Sequence, residues 1–539
     1  MRWDEEYDVV VVGSGISGLA GGLAAAKEGA RTIVLEKADS LGGSTSWSYG
    51  LLWIGTNALA QEQGYKDNRA NVKKYMAFLG GHQTDARRLD AYIDSSILAL
   101  DYFRDAGVKF RVARGVHDHY FGVAPGATEE GRTVEVELIS GSELGEWQDR
   151  ILLPDTTPYR VNLEEAVKWG GVESVDHWDP QTMREREKSD LRGMGVGLVS
   201  HFVKCLVDRE VPIRAGVGAE SLVKDGDRVV GVVTDDGRRI EAKRGVLIAA
   251  GGYESNPELV ETFEELPGFQ SEFPESITGD GLLLGTEVGG TIRMIHNNLA
   301  TMLGFIVEPE DGSGHAAFRV AGIIELCSPH TLVVNGEGRR FADESYFQTI
   351  VPALKEYDCM RHQYRNLPCY LIFDRQFADK YSFAGLPAGA EMPSWVSSAK
   401  SLPALAKKLG VDPEGMSATV ETFNGFAEEG VDGDFGRGEQ RWALAQAVKP
   451  TKNRSLGPLE KAPFYGIELK PCGLGSAGLS ANEYGQVIHV RGKPIDGLYA
   501  SGNVAAHNEY GVGYQAGYSL ASGMTFSWLA VRHMLGQKN

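Results

Sequence analysis

The chain has 539 residues, 42% of them apolar and 24% charged, with a formal net charge of -19. That length exceeds what a single hydrophobic core organises, so at least two domains of a soluble globular protein are expected. The acidic balance, with no basic run or stripe, argues against nucleic acid or an anionic membrane surface as a general partner.

The first predicted elements fall between Tyr7 and Glu36, in YDVVVVGSGISGLAGGLAAAKEGARTIVLE: a strand, a glycine turn, a helix, a second strand and a terminal acid. Gly13 permits the tight turn, Gly15 (after Ser14) lets the backbone approach a pyrophosphate, and Gly18 lets the helix lie close on the sheet. Phosphate charge then meets the helix N-terminus. Glu36 closes the second strand, where a carboxylate accepts hydrogen bonds from ribose hydroxyls. The pattern predicts a dinucleotide site.

Glu36 runs directly into KADSLGGSTSWSYGLLWIGTN, from Lys37 to Asn57, a glycine- and hydroxyl-rich segment that a nicotinamide-only domain has no reason to carry. It points to flavin. Gly42, Gly43, Ser44 and Thr45 supply close backbone approach and hydroxyl contacts to phosphate and ring, with Lys37 and Gly50 in the same stretch.

A helical segment, LRGMGVGLVSHFVKCLVDREV, precedes a valine-rich meander with Asp-Gly turns, from Glu220 to Gly252. Its last run should return to the main sheet and pass under the cofactor at Ala250 and Gly251. From about Thr291 to about Pro450 the composition shifts to mixed charged helices and glycine loops, which predicts an inserted domain. The carboxyl end, from Ile495 to Met534, reads as a short strand, a glycine loop and an apolar helix that caps the cofactor. Asn503, after Gly502, is placed to bond the ribityl chain. Backbone amides near Ser519 and Leu520, at a helix start, would face flavin N1 and the C2 carbonyl and favour the reduced anion.

The expected fold is therefore α/β: a discontinuous Rossmann-type FAD-binding domain, residues 1–290 and 451–539, with an inserted α+β catalytic, capping domain at 291–450. Five cysteines, Cys205, Cys327, Cys359, Cys369 and Cys472, lack CxxC or CxxCH spacing, so no cluster, zinc or haem site is expected. No apolar run approaches the roughly 18 residues that span a bilayer. With an N-terminus that enters its first strand almost at once, this predicts a cytoplasmic protein with free thiols and no transmembrane segment.

GSGISG, LGGSTSWSYGLLWIGTN, VNGEGRRFADES from Val334, FNGFAEEGVDGDFGRG from Phe423 and GLYASGNVAA from Gly497 together resemble the fumarate reductase and 3-ketosteroid dehydrogenase superfamily of flavoproteins. The match spans most of the chain. Within it, WSYGLLWIGTN and DHYFGVAPG from Asp118 look more like the ketosteroid dehydrogenases. The resemblance implies FAD, held non-covalently because LGGSTSW contains no histidine, and extends the cofactor-binding set to Ala219 and Gly281. It implies 1,2-desaturation of a small apolar cyclic ketone, either a 3-ketosteroid or a cyclohexanone-type ring. A tyrosine takes the α-proton, flavin N5 takes the β-hydride, and quinone, oxygen or another protein serves as external electron acceptor.

Tyr120 occupies a position that resembles a catalytic tyrosine of that group, and Tyr346 lies two residues early for a second. A third, the carbonyl donor, falls on Tyr514 or Tyr510 with the Gly517 amide beside it; Tyr514 is the choice. A hydroxyl stabilises a developing enolate, and a phenol of depressed pKa can take a proton from carbon. The alternative is reduction of an unsaturated dicarboxylate or other activated alkene, which needs arginines for two carboxylates. Here Tyr514 and Ala378 stand where those arginines are expected, with Arg375 one turn earlier. A third reading, a flavin subunit without its own turnover, finds no cysteine set for an internal electron path. Arg339 and Arg340 read as a solvated pair or an anion site, and Glu344 as a proton relay or a helix-start carboxylate.

Overall fold

The computed structural model describes residues 2–154, 157–172, 178–296, 298, 300–308, 317–440, 453 and 455–537. Strand Glu5–Val12 lies at the centre of the main sheet, paired in parallel with Thr32–Glu36 on one side and Arg239–Ile248 on the other. Ile213–Ala215 and Pro494–Ala500 extend the parallel order outward. Three distant stretches of chain thus build one sheet, and both of its faces are covered. That explains a run of four buried valines, Val9 to Val12, rather than an alternating pattern. The valine-rich meander forms as expected, with Ala219–Asp225, Arg228–Thr234 and Arg239–Ile248 antiparallel in sequence.

On one face, helix Ile16–Lys27 packs between Met194–Val207 and the apolar Tyr518–Met534. Glycine makes this approach possible: a Cβ at Gly18 would stand 1.9 Å from the Gly13 carbonyl oxygen. Gly13 has φ +105°, and a Cβ there would stand 2.3 Å from the Ala249 oxygen. The turn, the helix start and the end of a third strand therefore meet backbone to backbone.

A second sheet is wholly antiparallel, in the order Ala317–Val320, Thr301–Val307, Phe464–Gly473, Cys369–Asp374, Thr331–Asn335. Helices Leu402–Leu409 and Pro413–Glu429 pack against one face of it, burying Leu405, Met416, Val420 and Phe423. The expected α/β sheet and α+β insertion are both present. One boundary differs. Strand Phe464–Gly473 belongs to the second sheet, between Thr301–Val307 and Cys369–Asp374, although the sequence pattern places 451–539 in the first domain. Its residues are buried almost throughout, so no break in polarity marks which sheet it joins. The expected crossing at 450 itself lies outside the described residues.

Candidate active site

A cavity of about 660 Å³ opens where the C-terminal ends of the parallel strands meet the second sheet. This is where an open α/β sheet offers a crevice for a ligand. Its floor contains Gly13, Ser14 and Gly15, with Gly15 as N-cap of helix Ile16–Lys27. Glu36 sits beside them, one oxygen accepting from the Ser14 amide and hydroxyl at 3.0 and 2.6 Å, the other from the Ala38 amide at 2.9 Å. The acid is thus oriented before any ribose arrives. Lys37 is held at the rim by Thr278 and, at 2.6 Å, by Asp280.

From the following loop, Gly43, Ser44, Thr45 and Gly50 line the cavity, as do Ala219, Ala250 and Gly251 from the opposite wall. Thr45 has a duty not expected from sequence, since its hydroxyl accepts the Ile16 amide at 3.0 Å and takes one of the orphan donors of that helix start. Gly18, Gly42 and Gly281 lie outside the lining. Gly42 packs on Ser46, and Gly281 lets helix Asp280–Glu287 approach Ile248 and Val504.

The carboxyl end supplies Gly502, Asn503, Ser519 and Leu520. Asn503 Oδ1 accepts from Ser519 Oγ at 2.7 Å and faces His507 Nε2 at 3.2 Å, which turns its amide nitrogen away from both. Gly517 is the N-cap of Tyr518–Met534, so a second helix start, with its partial positive charge, meets the cavity. These features fit FAD. A side-chain-free turn at one helix start can hold a pyrophosphate, an oriented acid can hold the ribose, and a second helix start can face the flavin ring.

This chain matches the model of the FAD binding domain family over residues 8–523. The chain belongs to that flavoprotein family. FAD is its cofactor, and the protein is an FAD-dependent oxidoreductase of the superfamily its motifs resembled. It is 33% identical to a 4-oxocyclohexanecarboxylate 2-dehydrogenase of Sinomonas cyclohexanicum, over 98% of this chain and 93% of that protein. It is 30% identical to a 3-oxosteroid 1-dehydrogenase of Mycolicibacterium smegmatis, over 98% and 96%. The crystal structure of a 3-ketosteroid Δ1-dehydrogenase from Sterolibacterium denitrificans in complex with 1,4-androstadiene-3,17-dione superposes with a TM-score of 0.86, at 27% identity, over 99% of this chain and 100% of that one. A flavocytochrome c3 fumarate reductase shares the fold at a TM-score of 0.63 and 21% identity, over 99% of this chain and 79% of that one.

Within this flavoprotein, Tyr514 and Gly517 line the cavity, as does Tyr510, whereas Tyr120 and Tyr346 are buried immediately behind the lining. Their rings meet edge-on, with centroids 6.1 Å apart. The Tyr346 hydroxyl donates to the His119 carbonyl at 3.2 Å, and the Tyr120 hydroxyl lies against the Tyr514 backbone without a well-aligned hydrogen bond. His119 joins the group. Its ring meets Tyr514 edge-on at 5.2 Å, its amide donates to Gln515 Oε1 at 3.0 Å, and Gln348 Nε2 lies 3.0 Å from its Nδ1.

Burial pushes the hydroxyls of Tyr120 and Tyr514 up to about 12, and those of Tyr346 and Tyr510 further still. The depressed phenol expected from sequence is corrected: burial is the main cause of each rise, and no cation stands among the groups acting on these four hydroxyls, so they are neutral donors at neutral pH. Burial likewise holds the His119 imidazole neutral, lowering it to about 3.

Glu272, which sequence reasoning missed, lines the cavity with its carboxyl pushed up to about 7 by burial and then by Glu254. It carries no motif, since only tertiary placement makes it unusual. His119 and Gln515 had a weak signal as neighbours of Tyr120 and Tyr514. Arg340 also differs from expectation. It is neither solvated nor an anion site, because it holds Glu344 at 2.8 Å and Asp432 at 2.9 Å in the interior. Arg339 is exposed, and Glu344, though tied to Arg340, reaches the cavity wall. Arg375 is partly exposed and paired with Asp379 at 2.7 Å, and neither it nor Ala378 lines the cavity.

Proposed function

We propose that the protein desaturates a cyclic ketone between the carbons α and β to its carbonyl. The observation that carries this reading is the convergence of Tyr514 and Gly517 on the cavity that also holds the nucleotide nest. In the same loop, a dicarboxylate reductase would need an arginine. The relatives support it, since 4-oxocyclohexanecarboxylate and 3-oxosteroids are both cyclic ketones. FAD, when bound, supplies the hydride acceptor at N5.

The neutral Tyr514 hydroxyl and the Gly517 amide donate to the ketone oxygen and stabilise the enolate that forms as the α-proton leaves. The base for that proton is Tyr120 or Tyr346, both of which stand one layer behind the lining residues His119 and Ser345 and must reach the substrate past them. Because burial keeps both phenols protonated, the base must first ionise, so the active fraction grows as pH rises toward the phenol pKa. A non-covalent FAD fits the absence of histidine from LGGSTSW. No described helix is long and apolar enough to cross a membrane. The five cysteines are free thiols, and we place the protein in the reducing cytoplasm on that ground. The external electron acceptor is a quinone, oxygen or another protein.

Holoenzyme should reduce a redox dye in the presence of a cyclic ketone, with a turnover that climbs from neutral pH to about pH 10. Dye reduction with a flat profile would remove tyrosine from the base role. No ketone-dependent reduction, combined with oxidation of reduced viologen by fumarate, would favour the alkene-reductase alternative.

A further inference from the structure

We propose that Arg319 anchors an anionic substituent of the substrate, a carboxylate carried by the ring that bears the ketone. This rests on the cyclic-ketone reading above and narrows it. Arg319 stands on strand Ala317–Val320, opposite Phe305, and lines the cavity together with Phe305, Phe318 and Val320. Its guanidinium lies over Gly385, which also lines the cavity: a Cβ at that position would come within 3.3 Å of Nη1 and 3.9 Å of Cζ. A side chain there would crowd the head group.

Among the described residues, the Arg319 side chain has no hydrogen bond and no ion pair. Its electrostatic neighbour is Glu325. That carboxyl is already committed to backbone, accepting the Gly322 amide at 2.9 Å and facing the Ala384 amide at 3.5 Å. Burial pushes it up, which weakens its value as a counter-ion.

The other lining carboxylates have their own partners. Glu36 is held by Ser14 and Ala38, Asp280 by Lys37, and Glu344 by Arg340. Glu272 is pushed up to about 7, chiefly by burial, which reduces the charge it offers a cation at neutral pH. Arg319 is thus a guanidinium fork in an apolar wall, and the partner it lacks is one a ligand can bring. Arg319 is partly exposed, and its two parallel N–H donors match a carboxylate entering the cavity. A neutral steroid would leave those donors unmet.

The test compares 4-oxocyclohexanecarboxylate with 4-methylcyclohexanone on holoenzyme, reading the ratio of the two kcat/KM values within each variant so that any general loss cancels. The carboxylate should be preferred by about 10- to 100-fold, the worth of a charge-assisted hydrogen-bonded pair. Arg319→Met should bring that ratio close to one, and Arg319→Lys, which keeps the charge and loses the fork, should land between. Cyclohexanecarboxylate, which has no ketone to oxidise, is titrated in parallel by its perturbation of the flavin spectrum, and its binding should weaken in the same order.

A wild-type ratio near one, or a preference that survives in Arg319→Met, overturns the assignment while leaving ketone desaturation intact. Flavin that no ketone reduces, with cyclohexanecarboxylate binding that still depends on Arg319, contradicts the desaturase reading and supports the anion anchor.

Discussion

Tyr514→Phe is expected to slow ketone-driven reduction of the flavin by about 10²- to 10³-fold, the usual loss when one donor to a developing oxyanion is removed. FAD binding should change little, because the nucleotide nest, Glu36 and Asn503 lie on other elements and use other atoms. The hydroxyl is desolvated and neutral, pushed up to about 12, so it donates without adding a charge to the pocket. Stopped-flow mixing under nitrogen measures the rate, and a titration of apoprotein with FAD measures affinity. Tyr510→Phe is the control, since Tyr510 lines the same cavity and packs on Tyr518 with ring centroids 4.0 Å apart. Unchanged reduction in Tyr514→Phe, with a large loss in Tyr510→Phe, would move the donor role to Tyr510.

The second large effect concerns stability. Arg340 sits between Glu344 and Asp432, and Arg437 reaches Glu344 at 3.1 Å, with all four side chains in the interior. Burial alone would push both carboxyls up, but Arg340 draws both below their usual range, aided by Arg437 at Glu344. Arg340→Met leaves two buried carboxylates with one cation fewer and should cost about 3–5 kcal/mol. The sign of the pH effect follows: a depressed carboxyl contributes stability at neutral pH that is lost on acidification, so the variant should lose less than wild type as pH falls. Denaturant midpoints at two pH values check both statements. A wild-type midpoint at neutral pH would contradict the role of the cluster. Glu344 reaches the cavity wall and Tyr346 follows two residues later, so the cluster holds the stretch of chain that carries Tyr346.

Local chemistry was legible in the sequence. The turn at Gly13, the close helix at Gly18 and the acid at Glu36 are set by short runs of residues and stand where the chain order places them, and the helix expected to start near Ser519 begins one residue earlier, at Tyr518. What sequence could not convey depends on partners far along the chain. Arg340 looked solvated in a polar turn because Asp432, its partner, lies 92 residues downstream. Strand Phe464–Gly473 carries no mark of the sheet it enters, since its neighbours come from Thr301–Val307 and Cys369–Asp374. The phenols were expected to be acidified, yet their desolvation is a property of the closed interior. Glu272 and Arg319 sit in unremarkable runs, and only the cavity gives them meaning.

The most direct test of flavin-dependent ketone desaturation is anaerobic mixing of oxidised holoenzyme with excess saturated cyclic ketone, following flavin absorbance and conjugated enone together. One enone formed for each flavin bleached is the predicted result. A flavin that stays oxidised with every ketone, yet is reoxidised by fumarate once chemically reduced, would contradict it.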